Sequence, residues 1–190
     1  MRIRIRKLEE KDISIYQMCY ANQEFKYCIF GHKDMDINNT FGKLIESTRN
    51  NGENYIILYS TSGNKCSFDV MGFCNFLKSN HYPFECSDEI YAFNGGILPL
   101  LFNTGYGLYA CASMMCLFFQ KHPDSLLYAS TFNHNNRSTR MLMSLGFNRF
   151  PQMWYEKNHF ILDNNCFKEN DFVQKILSRI DIEVCEMYGQ

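Results

Sequence analysis

A short loop with two glycines, placed between a strand-like run and an apolar segment, is the stretch of this chain best suited to chemistry. The run at 91–98 ends at Pro99, and Gly105 and Gly107 precede an apolar segment that reaches Lys121. Glycine tolerates positive φ and lets another molecule approach the backbone without a Cβ in the way. The free amides in the first turn of a helix attract phosphate. The pattern therefore predicts a strand, a loop and a helix, with a phosphate-binding site at the loop and the helix start. The alternative is an ordinary tight turn, which needs the same glycines.

A second polar motif follows the next strand-like run, Leu126 to Phe132. Asn135 and Ser138 lie three residues apart, and Leu145-Gly146-Phe147 closes the segment. Asn and Ser are favoured where helices begin, because their side-chain oxygens accept from free backbone amides. The spacing predicts a helix that runs to Leu145, and the two residues can serve as its cap or as ligand contacts.

The two motifs together resemble those of the GCN5-related N-acetyltransferases (GNAT), which move an acetyl group from acetyl-CoA to an amine. In that family a strand ends in Val-x-Pro, followed by Arg/Gln-x-x-Gly-x-Gly/Ala and, downstream, by Asn-x-x-Ser/Ala and Leu-Gly-Phe. The matching segments here are Ile97-Leu98-Pro99, Gly105-Tyr106-Gly107, Asn135-Asn136-Arg137-Ser138 and Leu145-Gly146-Phe147. The resemblance is strong in the C-terminal half and extends to the first half only in the order of elements.

The resemblance implies an α/β (α+β) fold in which helices flank a mixed, mostly antiparallel central sheet. Strands 91–98 and 126–132 would splay apart to form the acetyl-CoA cleft, and a backbone amide near Ile97 or Leu98 would face the thioester oxygen, where a preorganised donor counts most. Acetyl-CoA would be the co-substrate, with no metal. The resemblance assigns cofactor binding to Ile97, Leu98, Phe102, Asn103, Thr104, Gly105, Tyr106, Gly107, Asn135 and Ser138.

Two residues depart from the family pattern. Phe102 stands where the family has Arg or Gln at the head of the loop, so a side-chain contact is lost while the amides that would hold the diphosphate remain. Leu142 stands where many members carry a tyrosine that protonates the leaving thiolate. Water or the departing ammonium would then have to supply that proton.

The acceptor amine must lose a proton, and the resemblance places a carboxylate or a water chain at the start of strand 91–98 for that step. Glu89 is the candidate general base, with Glu85 and Asp88 as rivals, and an exposed strand-end charge is the alternative interpretation. Tyr91 is a candidate for substrate binding. The identity of the amine stays open among a small amine, an amino sugar and a protein N-terminus.

Composition limits the other classes of function. A chain of 190 residues with 46% hydrophobic residues can bury one well-filled core, and its net charge of -1 gives no electrostatic footprint for nucleic acid. No apolar run reaches the roughly 20 residues of a membrane-spanning helix. The nine cysteines include no Cys-x-x-Cys pair, which argues against zinc. We expect a cytoplasmic protein with reduced thiols, without nucleic-acid or membrane partners, as a monomer or homodimer.

We expect a single GNAT-like domain over residues 1–190 that transfers acetyl by direct attack in a ternary complex. Residues 1–88 would form the acceptor-side half, 89–147 the acetyl-CoA-binding core, and 148–190 C-terminal strands and a helix. The alternative is a catalytically weak CoA-binding or regulatory module with the same fold. Release of free thiol from acetyl-CoA in the presence of amines separates the two.

Local signals predict the elements of the first half. Alternation from Arg2 to Leu8 predicts a strand, and Asp12 is expected to cap the helix that follows. A second helix is expected after Asn39 or Thr40, and the aromatic residues before it are assigned to the core or to a pocket wall. Runs at 54–60 and 66–76 predict a hairpin around a turn at 61–65, with a loop over 77–88. The aromatic residues are Phe25, Tyr27 and Phe30.

Fewer signals mark the remaining parts of the chain. Gly95 and Gly96 indicate a bulge in strand 91–98 or a flexible strand end. A strand is expected over 154–161, and Asp171 is expected to cap a terminal helix.

Overall fold

A mixed β-sheet forms the centre of the molecule. The computed structural model describes residues 1–30, 34–61, 67–78, 89–151 and 155–185. Its strands are β1 (Arg2–Lys7), β2 (Glu53–Ser60), β3 (Asp69–Lys78), β4 (Ile90–Ile97), β5 (Leu126–Phe132), β6 (Asn148–Arg149), β7 (Lys157–Leu162) and β8 (Asp181–Cys185). Within the described residues they form one sheet in the order β6-β7-β5-β4-β3-β2-β1-β8.

Helices cover both faces of this sheet. They are α1 (Ile13–Ala21), α2 (Gln23–Phe30), α3 (Ile37–Arg49), α4 (Tyr106–Lys121), α5 (Asn136–Ser144), α6 (Asn164–Glu169) and α7 (Asp171–Leu177). Phe73 of β3 stacks on Tyr16 of α1 at 4.1 Å between ring centroids, while Phe76 packs on Phe118 of α4 at 4.9 Å. Residues an odd number apart on a strand point to opposite faces, so α1 and α4 lie on opposite sides of the sheet.

The strand pairing confirms a mixed, mostly antiparallel sheet in which one pair of neighbouring strands, β4 and β5, separates along its length. Neighbouring strands run antiparallel except β1 with β8 and β4 with β5. The parallel pairing of β4 with β5 ends at Ala92 and Tyr128, although β4 continues to Ile97 and β5 to Phe132. The two strands therefore part, and a gap opens between them toward their C-terminal ends.

The prediction of a bulge at Gly95 and Gly96 is wrong. β3 and β4 pair without a register shift, and the irregularity lies between β2 and β3, where Met71 is the extra residue. The glycines instead allow close approach, because a Cβ on Gly96 would lie 2.6 Å from Cε2 of Phe25. Phe25 is 2% exposed, so this aromatic residue of α2 belongs to the core. The helix α2 was not predicted, and it packs on the sheet through this contact.

One of the two predicted helix caps is confirmed in position only, and the other is wrong. Asp12 ends a 3-10 turn at Glu10–Asp12 and is the N-cap residue of α1, but its side chain makes no cap hydrogen bond to that helix. The cap of α7 is Asn170, whose Oδ1 accepts from the N–H groups of Phe172 and Val173, rather than Asp171. α7 is not terminal, since β8 follows it and pairs with β1.

The other local predictions are confirmed in outline. β2 and β3 form the expected antiparallel hairpin, and α3 begins at Ile37 behind Asp36, slightly earlier than predicted. Leu77 and Lys78 belong to β3, while the rest of the predicted loop lies outside the described residues. β7 begins at Lys157, and Trp154 lies outside the described residues, as do Glu85 and Asp88. Among the described residues, no helix is long and apolar enough to cross a bilayer.

Arg6 and Asp12 form a buried ion pair that ties β1 to the segment before α1. Two guanidinium nitrogens of Arg6 donate to the two carboxylate oxygens of Asp12, each at 2.7 Å. Asp12 is 3% exposed and also accepts from the Glu9 N–H at 2.9 Å. This bidentate contact also raises the pKa of Arg6. The Asp12 carboxylate therefore stabilises this corner through Arg6 and through the capping box of the 3-10 turn, without capping α1.

We expect Asp12→Ala to lower the free energy of unfolding by about 3 kcal/mol, because it removes the bidentate partner of the Arg6 charge and leaves it the longer contact with Glu9 at 3.5 Å. Glu10→Ala is the matched control, since Glu10 pairs with Arg49 at the surface and should change stability by no more than about 0.5 kcal/mol. Urea denaturation followed by circular dichroism measures both. Equal midpoints for the two variants would contradict the assignment.

Candidate active site

The corner between β4 and α4 presents open main-chain groups. A 3-10 turn at Pro99–Leu101 follows β4, and α4 begins at Tyr106 with Gly105 as its N-cap residue. Gly105 has a φ of +85°, and a Cβ added to it would meet no atom within 4 Å. The start of α4 therefore faces open space. Its first-turn amides and the positive end of the helix dipole suit an anion there.

A cavity of about 400 Å³ lies against this helix start. Its walls come from the loop after β4, from α4 and α5, and from α2. Seven of the ten predicted cofactor-binding residues line it: Ile97, Phe102, Asn103, Gly105, Gly107, Asn135 and Ser138. The structure thus brings the two sequence motifs together around one space.

The other three predicted residues do not line this cavity. Leu98 is 6% exposed, and its N–H donates to the Met71 carbonyl at 2.9 Å. The hydroxyl of Thr104 donates to the Leu101 carbonyl at 2.6 Å. The ring of Tyr106 packs against Tyr59 of β2 at 5.0 Å. Their side chains support the loop, and their assigned roles in cofactor binding stay predictions.

The gap between β4 and β5 continues from this cavity. A space of about 160 Å³ is lined by 93–97 of β4 and 129–132 of β5. Ile97, Cys111, Asn135 and Ser138 line both spaces. The two spaces therefore adjoin each other at these shared residues.

Main-chain amides of β4 point into this gap. The Leu98 N–H bonds to Met71 of β3, and in an antiparallel ladder alternate residues direct their polar groups to the same side. The amides turned toward β5 are thus those of Ile97, Gly95 and Phe93. Of the two residues predicted to face the thioester oxygen, Ile97 has its amide on the gap side, whereas the Leu98 amide is already bonded.

Arg137 places a positive charge beside Phe102, the position at which this chain lacks the Arg or Gln of the family motif. Its guanidinium lies 5.4 Å from the centre of the Phe102 ring, and Nη1 donates to Asn103 Oδ1 at 3.0 Å. Nη2 pairs with Glu24 of α2. Arg137 and Arg140 both line the larger cavity. The sequence analysis did not identify either arginine as a site residue. Two signals were available: Arg137 lies inside the motif at 135–138, and Phe102 replaces the Arg or Gln of the family, which leaves a charge to be supplied from elsewhere.

Asn135 acts as a helix cap in this structure. Its Oδ1 accepts from the Ser138 N–H at 3.2 Å, and its Nδ2 donates to the Cys28 carbonyl of α2 at 3.4 Å. The capping alternative is therefore confirmed for Asn135, and its role in ligand binding stays a prediction. Leu142 is 3% exposed and lines the gap from α5, so α5 offers no proton donor at that position.

Glu89 and Tyr91 lie near the closed end of the strand pair. Glu89 accepts from Lys78, from the Tyr91 hydroxyl at 3.2 Å and from the Ser125 hydroxyl at 3.2 Å. The Lys78 hydrogen bond is the main reason that the pKa of Glu89 is lowered. About 10 Å of strand separates Glu89 from Ala92, where the gap begins. Neither residue lines a described cavity, and their assigned roles stay predictions.

Three cysteines lie beside the gap, and all are held as neutral thiols. Burial raises the pKa of Cys111 to about 12, and it also raises the pKa of Cys28 and Cys74. The thiolate is the nucleophilic form of cysteine, so these groups are poor nucleophiles at neutral pH. Among the described residues no cluster of His, Cys, Asp and Glu could hold a metal ion.

Comparison with known proteins agrees with this geometry. The family model of an acetyltransferase (GNAT) domain matches residues 2–148. The chain is similar in fold to spermidine N-acetyltransferase from Vibrio cholerae in complex with CoA and spermine, with 11% identity over 88% of this chain and 98% of that one and a TM-score of 0.69. No curated protein sequence matches the chain.

Two further solved structures share the fold. An aminoglycoside acetyltransferase, AAC(6')-Ib, in complex with coenzyme A is 13% identical over 87% of this chain and 97% of that one, with a TM-score of 0.68. An acetyltransferase of the GNAT family from Bacillus anthracis is 16% identical over 87% of this chain and 96% of that one, with a TM-score of 0.65. At these identities the similarity shows the fold alone. The domain match over most of the chain shows more, and on it this chain belongs to the GNAT acetyltransferase family.

Proposed function

We propose that this protein is an N-acetyltransferase that moves an acetyl group from acetyl-CoA to a primary amine by direct attack in a ternary complex. The observation that carries the proposal is the pair of adjoining spaces at the open start of α4 and in the gap between β4 and β5. Bound acetyl-CoA supplies the activated thioester. Residues 89–147 would bind it, and residues 1–88 would contribute the acceptor side.

Named groups of the chain fit the parts of this co-substrate. The amides at 105–107 and the Arg137 guanidinium would hold phosphate, since both are donors with positive potential. The free amides of β4 would pair with the amide-containing arm, as another strand would. The Ile97 amide is the donor for the thioester oxygen, whose charge grows as the amine attacks. Holding both reactants in one site removes much of the entropic barrier.

Direct attack is favoured over an acetylated enzyme because the thiols that line the gap are neutral. With the pKa of Cys111 raised to about 12, little thiolate exists at neutral pH to accept the acetyl group. The amine would then attack the thioester itself. The acceptor class remains among small amines, amino sugars and protein N-termini.

The test is an amine panel. The protein is incubated with acetyl-CoA and spermidine, kanamycin, glucosamine or a peptide with a free N-terminus, and released thiol is followed with a chromogenic reagent. Melting temperature is measured with and without acetyl-CoA. We expect thermal stabilisation and amine-dependent thiol release. A protein that acetyl-CoA does not stabilise would overturn the proposed site.

A binding module without turnover is the second candidate, and the buried Leu142 favours it. In its place many relatives have a tyrosine that acts on the thiolate, and here the position is apolar and 3% exposed. Stabilisation by acetyl-CoA without thiol release for any amine would support this candidate over the enzyme.

We expect Gly105→Val to reduce acetyl-CoA affinity more than 100-fold, because a branched side chain would fill the open space before α4. Residue 105 also has a positive φ that a β-branched residue rarely adopts. Gly146→Ala is the control, since Gly146 also has a positive φ, of +94°, but lines neither cavity. It should lower the melting temperature and leave the affinity unchanged. Calorimetric titration with acetyl-CoA measures the affinity of both variants. Normal binding by the valine variant would contradict a phosphate site at the open start of α4.

We expect Arg137→Gln to weaken CoA binding about 10-fold or more, because a charged hydrogen bond contributes about 1.5–3 kcal/mol. The loss should shrink at high salt, where screening weakens the interaction. Arg49→Gln serves as the control. Arg49, at the end of α3, pairs with the exposed Glu10 and lines neither cavity. Equal dissociation constants for the two variants at low salt would contradict a phosphate contact at Arg137.

We expect Glu89→Gln to slow turnover with little change in acetyl-CoA affinity, if Glu89 takes the proton of the amine. Because the Lys78 hydrogen bond lowers the pKa of Glu89, its carboxylate stays ionised below the usual glutamate range. The wild-type rate should then fall only as the pH drops through that lowered value. Glu46→Gln on the surface of α3 is the control. A turnover rate of Glu89→Gln equal to that of wild type at every pH would rule out Glu89 as the general base.

A further inference from the structure

Lys157 lies at the rim of the gap between β4 and β5. It is the partner of Phe132 in the ladder of β5 and β7, so the two side chains share a face of the sheet. The ammonium lies 4.7 Å from the centre of the Phe132 ring, in a cation–π contact. Both residues line the gap. A positive charge is therefore held at this rim.

Strand pairing places this rim on the α2 side of the sheet. Phe25 of α2 lies against Gly96, so the even-numbered residues of β4 face that helix. Ala92 of β4 pairs with Tyr128 of β5, so the even-numbered residues of β5 share the face. Phe132 is therefore on the α2 side, and its ladder partner on β7 lies there with it.

The α2 side is the side from which the gap is accessible. Asn94 of β4 and Ser130 of β5 line the gap, and both are exposed. Ile29 of α2 also lines it and is 36% exposed. From the other side the gap is lined by the buried side chains of Met114 and Leu142. An acceptor would thus enter past the residues of the α2 side.

This rim is level with the amide assigned to the thioester oxygen. The last paired residues of β4 and β5 are Ala92 and Tyr128. Gly96 is four residues beyond Ala92, and Phe132 is four residues beyond Tyr128, so these two end level across the gap. Ile97 follows Gly96 directly. An amine that attacks a thioester at the Ile97 amide would therefore lie near the rim.

The charged side chains on the walls of the two spaces are all positive. Among the described residues the walls contain Arg137, Arg140 and Lys157 and no aspartate or glutamate. Glu24 pairs with Arg137 and Glu156 precedes Lys157 in the chain, but neither lines a space. The two arginines line the larger cavity, where the phosphates of the co-substrate would bind. Lys157 is left to face the acceptor.

Walls of this charge distinguish between acceptors by the sign of their charge. Polyamines and aminoglycosides keep further ammonium groups at neutral pH, since the pKa of an alkylamine is about 10. Bringing like charges together at a binding site costs free energy. An anion beside Lys157 would instead accept a charge-assisted hydrogen bond, which is stronger than a neutral one.

We propose that the acceptor is a small amine that also carries a carboxylate or a phosphate, and that Lys157 binds this anionic group. The assignment rests on the proposed acetyl transfer. The Lys157 ammonium donates to an oxygen of the anion, and the side chains of Asn94 and Ser130 offer neutral hydrogen-bonding groups beside it. The amine of the same molecule then lies at the thioester beside Ile97. Lys157 determines which acceptor binds and takes no part in the transfer of a proton.

The kinetic test uses pairs of amines that differ in one anionic group. Glucosamine 6-phosphate is compared with glucosamine, and phenylalanine with phenylalanine amide, while spermidine is the polycationic amine. Thiol release from acetyl-CoA is the readout. We expect kcat/KM to be about 10-fold or more higher for the anionic member of one pair, because a hydrogen bond to a charged group contributes about 1.5–3 kcal/mol. The pair that shows the difference distinguishes a phosphate from a carboxylate.

Variants of Lys157 test the assignment to this residue. In Lys157→Gln the two members of the preferred pair should differ by less than about threefold, with the acetyl-CoA dissociation constant within about twofold of wild type. Lys157→Arg should keep the preference, since it keeps the charge and the contact with Phe132. Lys168→Gln is the matched control, because Lys168 is exposed on α6 and lines neither space. A preference that survives in Lys157→Gln would overturn the assignment.

A binding measurement tests the same preference without turnover. Protein saturated with CoA is titrated calorimetrically with N-acetylglucosamine 6-phosphate and N-acetylglucosamine, and with N-acetylphenylalanine and its amide. We expect the anionic compound of one pair to bind about 10-fold or more tightly than its neutral partner. This difference should disappear in Lys157→Gln and persist in Lys168→Gln.

The outcomes distinguish this inference from the proposed function. Thiol release as fast with spermidine or a neutral amine as with the best anionic amine would overturn the inference and leave acetyl transfer in place. Protein that binds the anionic compound beside CoA and releases no thiol with any amine would keep the anion site and remove turnover. Protein that releases no thiol and binds both members of each pair equally, or neither, would overturn both.

Discussion

The parting of β4 and β5 is the constraint on which the rest of this structure depends. Beyond Ala92 and Tyr128 the two strands leave a row of main-chain donors and acceptors without a ladder partner. A buried amide without a partner costs about 1–3 kcal/mol, so a sheet does not divide in its middle without compensation. A bound molecule with alternating amide groups would give both strands the partners that they lack. The separation of β4 and β5 thus creates the gap and also leaves main-chain groups in it that favour binding of a polar molecule.

The walls of the gap are held apart by packing on both faces. On one side Phe25 of α2 occupies the place that a side chain on residue 96 would take, and the Asn135 amide bonds to the Cys28 carbonyl. On the other side α4 and α5 contribute apolar residues, including Met114 and Leu142. Helix α2 therefore contacts both the glycine strand β4 and the loop before α5.

The fold class was predicted correctly, and the local geometry of the motifs at 105–107 and 135–147 was easier to predict than individual elements elsewhere in the chain. Glycines at 105 and 107 and the Asn135 motif are local signals, because a positive φ or an open cap restricts residue type. Helix α2 and strand β8 depend on tertiary contacts, the first on Phe25 against Gly96 and the second on pairing with β1 across nearly the whole chain. Asp12 shows the same limit, since its carboxylate was taken for a cap and instead binds Arg6. A one-dimensional pattern does not reveal which distant partner a polar group meets.

Phe102 and Arg137 show how a site can keep its charge while its motif changes. In the family pattern a cation or amide begins the loop, and here an aromatic ring stands there with a guanidinium 5.4 Å from its centre. The ring orients the guanidinium through a cation–π contact, while Asn103 and Glu24 fix its edge. The positive charge thus reaches the same cavity from α5, with Arg140 beside it. Since Glu24 belongs to α2, the ion pair between Arg137 and Glu24 joins α5 to α2 at the wall of the cavity. The charge that replaces the missing loop cation thus also holds two walls of the cavity together.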